Sequence, residues 1–255
     1  MGPSPGYCWT TTRRLIGTID IDLSLRPEEL GAYEYTGLVE ALLDAGYQQE
    51  KHLRSFQLVR TVPGKDGEPA IDVIDVIVDF LMPRNAVNAK NPTPILDNFA
   101  VMRANGAELA SRFYELVAIE GAMPNGGNNR VEIAVASIPA LLAMKGYALK
   151  GRHKLKDAYD IYYCIRNFPG GAAETAVACK PVLETEDGKV GYSNIAEKFD
   201  KPDGTARAAL GNSSRKAMPW ATGHPISGSR MLSTRLMFGL GLSDCANATP
   251  PSAAE

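Results

Sequence analysis

Three aspartates stand in segments where acidic side chains are unwelcome. The run Thr18-Ile19-Asp20-Ile21-Asp22-Leu23-Ser24-Leu25 alternates strictly. On a strand of period two, Thr18, Asp20, Asp22 and Ser24 share one face and Ile19, Ile21, Leu23 and Leu25 the other. Asp20 and Asp22 then have Cα atoms about 6.6 Å apart, near enough to converge on one cation. Aspartate is disfavoured in strands and two on one face repel, a repulsion that a divalent cation removes. Mg²⁺ prefers oxygen ligands and is commonly held by one or two carboxylates plus substrate phosphates. A solvated polar strand face accounts for the same spacing. The third aspartate lies in Asp72-Val73-Ile74-Asp75-Val76-Ile77-Val78-Asp79-Phe80-Leu81, where apolar residues on both faces predict a central, covered strand. An unpaired carboxylate there is costly, so Asp79 is expected to meet a cation, an arginine or hydrogen-bond donors. Asp75 shares its face and Asp72 points the other way; these two are expected near a sheet end, paired with arginine.

A basic cluster follows later in the chain: Lys145, Lys150, Arg152, His153, Lys154 and Lys156, six groups in twelve residues. The formal net charge of -2 gives no global attraction for a polyanion, so any such site must come from a local cluster of this kind. A charge run is usually a solvated face, yet cation–phosphate contacts also supply most non-specific nucleic-acid affinity. On spacing alone, Lys145 reads as a solvated helix lysine. Lys156 with Asp160 and Lys154 with Asp157 read as surface pairs at i,i+4 and i,i+3. Cys8, Cys164, Cys179 and Cys245 show no paired spacing, and only His52, His153 and His224 could join them on a metal, so they read as reduced thiols.

The elements that must position these groups are legible in outline. After the Asp20 strand, Arg26-Pro27-Glu28-Glu29 opens a helix with proline and acids in its first turn, and Gly46 stands where a cap would end it. Strands over 56–62 and 71–81, joined by the turn signal Pro63-Gly64-Lys65-Asp66-Gly67, predict a hairpin. Residues 95–120 give no clear period, although 114–119 reads as a strand. The loop Pro124-Asn125-Gly126-Gly127-Asn128-Asn129 follows, then a strand over 130–135. Ser137 caps a helix with proline in its first turn that reaches Lys145. A second helix covers 153–168, Gly170-Gly171 stops it, and weaker helical stretches cover 172–183 and 192–199.

The ordered set of motifs resembles a known family. Thr18-Ile19-Asp20-Ile21-Asp22 looks like the T-x-D-[IL]-D strand of polymerase-β-like nucleotidyltransferases, and Val78-Asp79-Phe80-Leu81 looks like the strand that supplies their third carboxylate. Met144-Lys145 followed by Arg152-His153-Lys154-Leu155-Lys156-Asp157-Ala158-Tyr159-Asp160 is similar to the helix-terminal lysine and R-x-K-x-K-D-x-x-D segment of the AbiEii-type toxins of type IV toxin–antitoxin pairs. The likeness covers roughly residues 18–205. It implies an α+β fold: a polymerase-β-like nucleotidyltransferase core with a mixed sheet, followed by a helical portion. It also implies transfer of a nucleotide from an NTP to an RNA or protein acceptor. Asp20, Asp22 and Asp79 would bind Mg²⁺ (or Mn²⁺), and Lys145 would contact the triphosphate. Thr18, Arg152 and Lys156 would help bind the nucleotide, Asp157 or Asp160 would position base, sugar or helices, and a cognate antitoxin protein would be a partner. Two cations about 3.5–4 Å apart can stabilise both the attacking and leaving oxygens of an in-line displacement.

The order of strands and helices divides the chain into a nucleotidyltransferase-like core over 1–136 and a helical portion over 137–205, and a change of composition sets off a tail over 206–255. The tail holds only Asp244 and Glu255 as acids against five basic residues, and is expected to be poorly ordered. The relatives' G-G or G-S turn before the D-x-D strand has no counterpart in Gly6-Tyr7-Cys8-Trp9-Thr10-Thr11-Thr12-Arg13-Arg14. That departure keeps open a catalytically inactive, nucleotide-binding relic, and the same carboxylates would also serve a metal-dependent phosphohydrolase. The longest strictly apolar run of the mid-chain, 138–144, is far short of the roughly 20 residues that span a bilayer. With no signal-peptide pattern at the start, a cytoplasmic protein without membrane contact is expected.

Overall fold

The computed structural model describes residues 20–26, 32–63, 73–86, 96, 99–122, 126–152 and 154–200. The expectations for Thr18, Asp72, His153, the 64–72 turn, the Gly6 segment and the 206–255 tail lie outside these residues. The architecture is mixed α+β with a mixed sheet and a helical carboxy-terminal part. By contact, the chain forms two units. The first comprises Met1–Leu23, Gly31–Phe80 and Lys90–Met102, and the second comprises Ser24–Leu30, Leu81–Ala89 and Arg103–Glu255.

The larger sheet is built from β1 (Asp20–Ser24), β2 (Gln57–Pro63), β3 (Val73–Pro83) and β4 (Met102–Ala104), in the order β1-β3-β2 with β4 also on β3. β3 is therefore central, as its two apolar faces require. β2 and β3 run antiparallel as the hairpin reading predicts, with Gln57 opposite Asp79 and Thr61 opposite Asp75. Burial rises along β3, from exposed Val73 to buried Phe80, Leu81 and Met82. Helix α1 (Ala32–Asp44) lays Tyr35 and Val39, one turn apart, into the core of the first unit. There the Phe80 ring meets Tyr35 and Phe99 edge-on at 6.3 and 5.2 Å, the geometry aromatic quadrupoles favour. Gly46 ends α1 as expected. Its φ of +88° lets Tyr47 N–H reach Leu42 O and its own N–H reach Leu43 O, closing a Schellman cap.

In the second unit, α2 (Glu108–Arg112) precedes a two-stranded antiparallel ribbon of β5 (Tyr114–Ala122) and β6 (Asn128–Ala136), followed by α3 (Ile138–Gly151), α4 (Leu155–Asn167), α5 (Gly171–Leu183) and α6 (Glu186–Asp200). Ser137 caps α3 by accepting the Ala140 N–H, as its position predicts. The helices converge on one core. Leu142 and Leu149 of α3, Ala158, Ile161 and Ile165 of α4, Cys179 and Val182 of α5, and Tyr192, Ile195 and Phe199 of α6 all bury at helical spacing. Each large side chain buried this way contributes about 1.5–3 kcal/mol.

Two helices differ from the sequence expectation. α3 runs on past Lys145 to Gly151, and α6 begins at Glu186 rather than near Tyr192. In both, glycine lies inside the helix because the partner backbone lies against it. A Cβ on Gly146 would stand 1.9 Å from the Gly191 carbonyl oxygen, and one on Gly191 would stand 2.4 Å from that of Ala143. β4 and α2, in the stretch without clear period, were not foreseen.

Candidate functional site: two ionic clusters

The first cluster lies on β1, β2 and β3 in the first unit. Asp20 and Asp22 are exposed on β1, and Asp79 is half-buried on β3. Because register sets Gln57 opposite Asp79, its Nε2–H donates to Asp79 Oδ1 at 2.8 Å. The amide cannot turn over freely, since its oxygen accepts the Arg54 backbone N–H at 3.1 Å. Burial pushes the Asp79 carboxyl above the ordinary carboxylate range. The Gln57 donor opposes that rise, the charges of Asp22 and Asp20 add to it, and Arg54 offsets part of it. Asp79 therefore feels both β1 aspartates as like charges. The donor found for Asp79 is one of the three partners the sequence allowed. Asp75 is exposed and accepts from Thr61 Oγ1 at 2.6 Å, so its partner is a hydroxyl across the hairpin, where the sequence suggested arginine.

Among the described residues, no three His, Cys, Asp or Glu side chains are gathered tightly enough to hold a metal ion. The chemistry of the donor set nevertheless suits a hard divalent cation. All three groups offer carboxylate oxygen, and their mutual repulsion acts on Asp79. The sequence reading does not show Gln57 as the partner of Asp79. Only the strand register reveals it.

The second cluster joins α3 to α4 in the second unit. Lys145 Nζ donates to Asp160 Oδ2 at 2.8 Å and lies 3.5 Å from Asp157 Oδ1. Arg152 grips Asp157 with two parallel contacts, Nε to Oδ2 and Nη2 to Oδ1, both 3.1 Å. Such fork-to-carboxylate geometry gives the strongest and most directional ion pairs. It matters because Asp157 is only 2% exposed, and a buried carboxylate without this fork would be strongly destabilising. Burial would lower the Lys145 ammonium. The Asp160 hydrogen bond and the charges of Asp160 and Asp157 outweigh it, against Arg152, and hold the group above its ordinary value. Lys145 is thus a firmly charged ammonium, 23% exposed, where spacing alone suggested a solvated helix lysine.

The i,i+3 and i,i+4 surface pairs are replaced by this longer-range network: Asp157 goes to Arg152 and Lys145, and Asp160 to Lys145, while Lys154 and Lys156 are exposed. Lys150 is exposed and pairs with Glu197 of α6. Cys164, on the same face of α4, has its thiol pushed up to about 11, by burial first and by the Asp160 charge, against Lys145. It is an inert thiol, as Cys179 is.

Among the described residues, no helix is long and apolar enough to cross a membrane. No protein-family model matches the chain, and no curated protein or solved structure does either.

Proposed function

We propose that this chain is a metal-dependent nucleotidyltransferase that takes a nucleotide from an NTP to an RNA or protein acceptor. The observation that carries the reading is the electrostatic encounter of Asp79 with Asp22 and Asp20, three carboxylates on two strands that neighbour in the sheet. The order of D-x-D strand, third aspartate, helix lysine and K-D-x-x-D helix supports it. Asp20, Asp22 and Asp79 would hold Mg²⁺ or Mn²⁺, which supplies charge stabilisation at the reacting phosphate. Gln57 keeps one oxygen of Asp79 engaged and so limits its rotation. Lys145, with Thr18, Arg152 and Lys156, binds the nucleotide, and Asp157 and Asp160 orient Lys145 and Arg152. A toxin role, a cognate antitoxin and a cytoplasmic location belong to the same proposal and rest on the resemblance.

A second reading has a specific observation in its favour. Lys145 is already engaged by two aspartates, which suits a nucleotide-binding relic whose α3–α4 cluster serves stability alone.

Titrating each NTP with Mg²⁺ into Lys145→Ala and Lys150→Ala at two salt concentrations tests the assignment. A lost hydrogen bond involving a charged group is worth about 1.5–3 kcal/mol, or roughly ten- to a hundred-fold in affinity. Lys145→Ala is expected to lose that much, and Lys150→Ala, whose partner is Glu197, much less. A melting curve for each variant separates lost binding from lost folding, because Lys145 also offsets Asp157 and Asp160. Equal losses that vanish together at high salt would reduce the cluster to diffuse electrostatics.

A further inference from the structure

Helix α4 carries a second set of side chains, on the side turned away from the helical core. Ala158, Ile161 and Ile165 bury inward at helical spacing. Lys156, Tyr159, Tyr163 and Arg166 recur at i, i+3, i+7 and i+10, which sets them along the opposite side. Lys156 and Arg166 are exposed, as is Lys154 at the start of the helix, and the two tyrosines are half-buried. The Tyr159 and Tyr163 rings lie beside one another, their centroids 6.1 Å apart and their planes tilted by 39°. Tyr162, by contrast, packs against the helical core, and Arg166 lies 5.9 Å over its ring and donates to its hydroxyl at 2.9 Å.

The charge of this side follows from the ion pairs behind it. The carboxylates within α4 are Asp157 and Asp160, and both turn toward α3, where Lys145 and the cap residue Arg152 neutralise them. The helix therefore shows outward only cations set around two aromatic rings. Such interleaving suits a chain of alternating phosphates and flat bases, because phosphates pair with the cations and every base has a π-face to lay on a ring. We propose that this side of α4 binds single-stranded RNA, with Tyr159 and Tyr163 as the platform on which bases stack and Lys154, Lys156 and Arg166 as the contacts for phosphates. The inference rests on the nucleotidyltransferase reading and deepens it, since it makes the acceptor an RNA and gives that RNA a place on the protein.

The platform selects for unpaired strand. A duplex keeps its bases stacked inside and is held mainly through its phosphates and 2′-hydroxyls, so the tyrosines add little to its binding. A single strand can lay a base on each ring. The two kinds of contact are separable by salt. Each phosphate held by a cation steepens the fall of log affinity with log salt by about 0.7 for a single strand, whereas stacking leaves that slope unchanged.

The deciding experiment titrates a short labelled oligouridine, and an RNA duplex of equal length, into the full chain at several salt concentrations, with EDTA and without NTP. Binding is then read independently of metal and turnover. Tyr159→Leu and Tyr163→Leu keep apolar bulk but lose the flat ring. Each is expected to weaken oligouridine binding roughly five- to a hundred-fold with an unchanged salt slope. Tyr159→Phe should bind as wild type does, Lys156→Ala should flatten the slope by about 0.7, and the duplex should bind alike in wild type and the leucine variants. Melting curves confirm that each variant is folded. A wild-type measurement needs no variant: oligouridine carrying 4-thiouridine, cross-linked by light, is expected to attach at Tyr159 or Tyr163. No oligouridine binding, folded leucine variants that bind as wild type does, or cross-links confined to other residues would overturn the proposal. RNA held on α4 without label transfer when NTP and Mg²⁺ are added would count against the transferase reading alone. Transfer to RNA that proceeds unchanged in the leucine variants would count against this face alone.

Discussion

Asp20→Asn and Asp22→Asn are each expected to abolish Mg²⁺-dependent nucleotidyl transfer while leaving the protein folded. An amide is a poor ligand for a hard cation but fills the same space on β1. Both aspartates are exposed, and exposed substitutions usually stay within about 0.5 kcal/mol. Melting curves with and without Mg²⁺, beside turnover, check both halves. Wild-type turnover in either variant would remove that residue from the metal site.

Gly146→Ala is expected to cost about 3 kcal/mol, the upper end of what overpacking usually costs, and to lower the melting temperature by roughly 10 °C. Helix propensity favours alanine over glycine by only about 1 kcal/mol. Against it stands a new methyl 1.9 Å from the Gly191 carbonyl oxygen, a backbone atom that cannot swing aside. α3 and α6 would have to part, opening the contacts of Leu142 and Tyr192 and straining the buried bond from the Tyr192 hydroxyl to Pro139 O. Gly151→Ala, at the end of the same helix with nothing within 4 Å, is the control and should be neutral or mildly stabilising. Equal melting temperatures for the two variants would refute the close crossing.

The same glycines explain what the sequence reading could and could not see. Elements marked by local chemistry were legible: the β2–β3 hairpin by its β-branched runs, α3 by Ser137 and Pro139, and the end of α1 by Gly46. α6 was cut short because Gly188 and Gly191 weaken helix propensity, and their reason for being there lies on α3 and in the Val182 carbonyl rather than in their own neighbourhood. The three aspartates were legible as out-of-place acids in apolar strands. Gln57 as the partner of Asp79 was not, since only pairing across the hairpin joins them. The motif marks Lys145, Asp157 and Asp160, but spacing alone reads Lys145 as a solvated lysine and the two aspartates as members of surface pairs with Lys154 and Lys156. The fork of Arg152 on buried Asp157 depends on how α3 and α4 turn toward one another.

The most direct measurement of the central claim is label transfer. The protein is incubated with each α-labelled NTP, Mg²⁺ and total RNA, beside an Asp20→Ala/Asp22→Ala double variant, and labelled RNA or protein is resolved from free nucleotide. The nucleotidyltransferase reading expects label on an RNA or protein acceptor with one or more NTPs, dependent on Mg²⁺ and absent from the double variant. Nucleotide bound without transfer would favour the relic, phosphate released without transfer would favour a hydrolase, and label transfer that survives loss of both aspartates would contradict the assignment of the site.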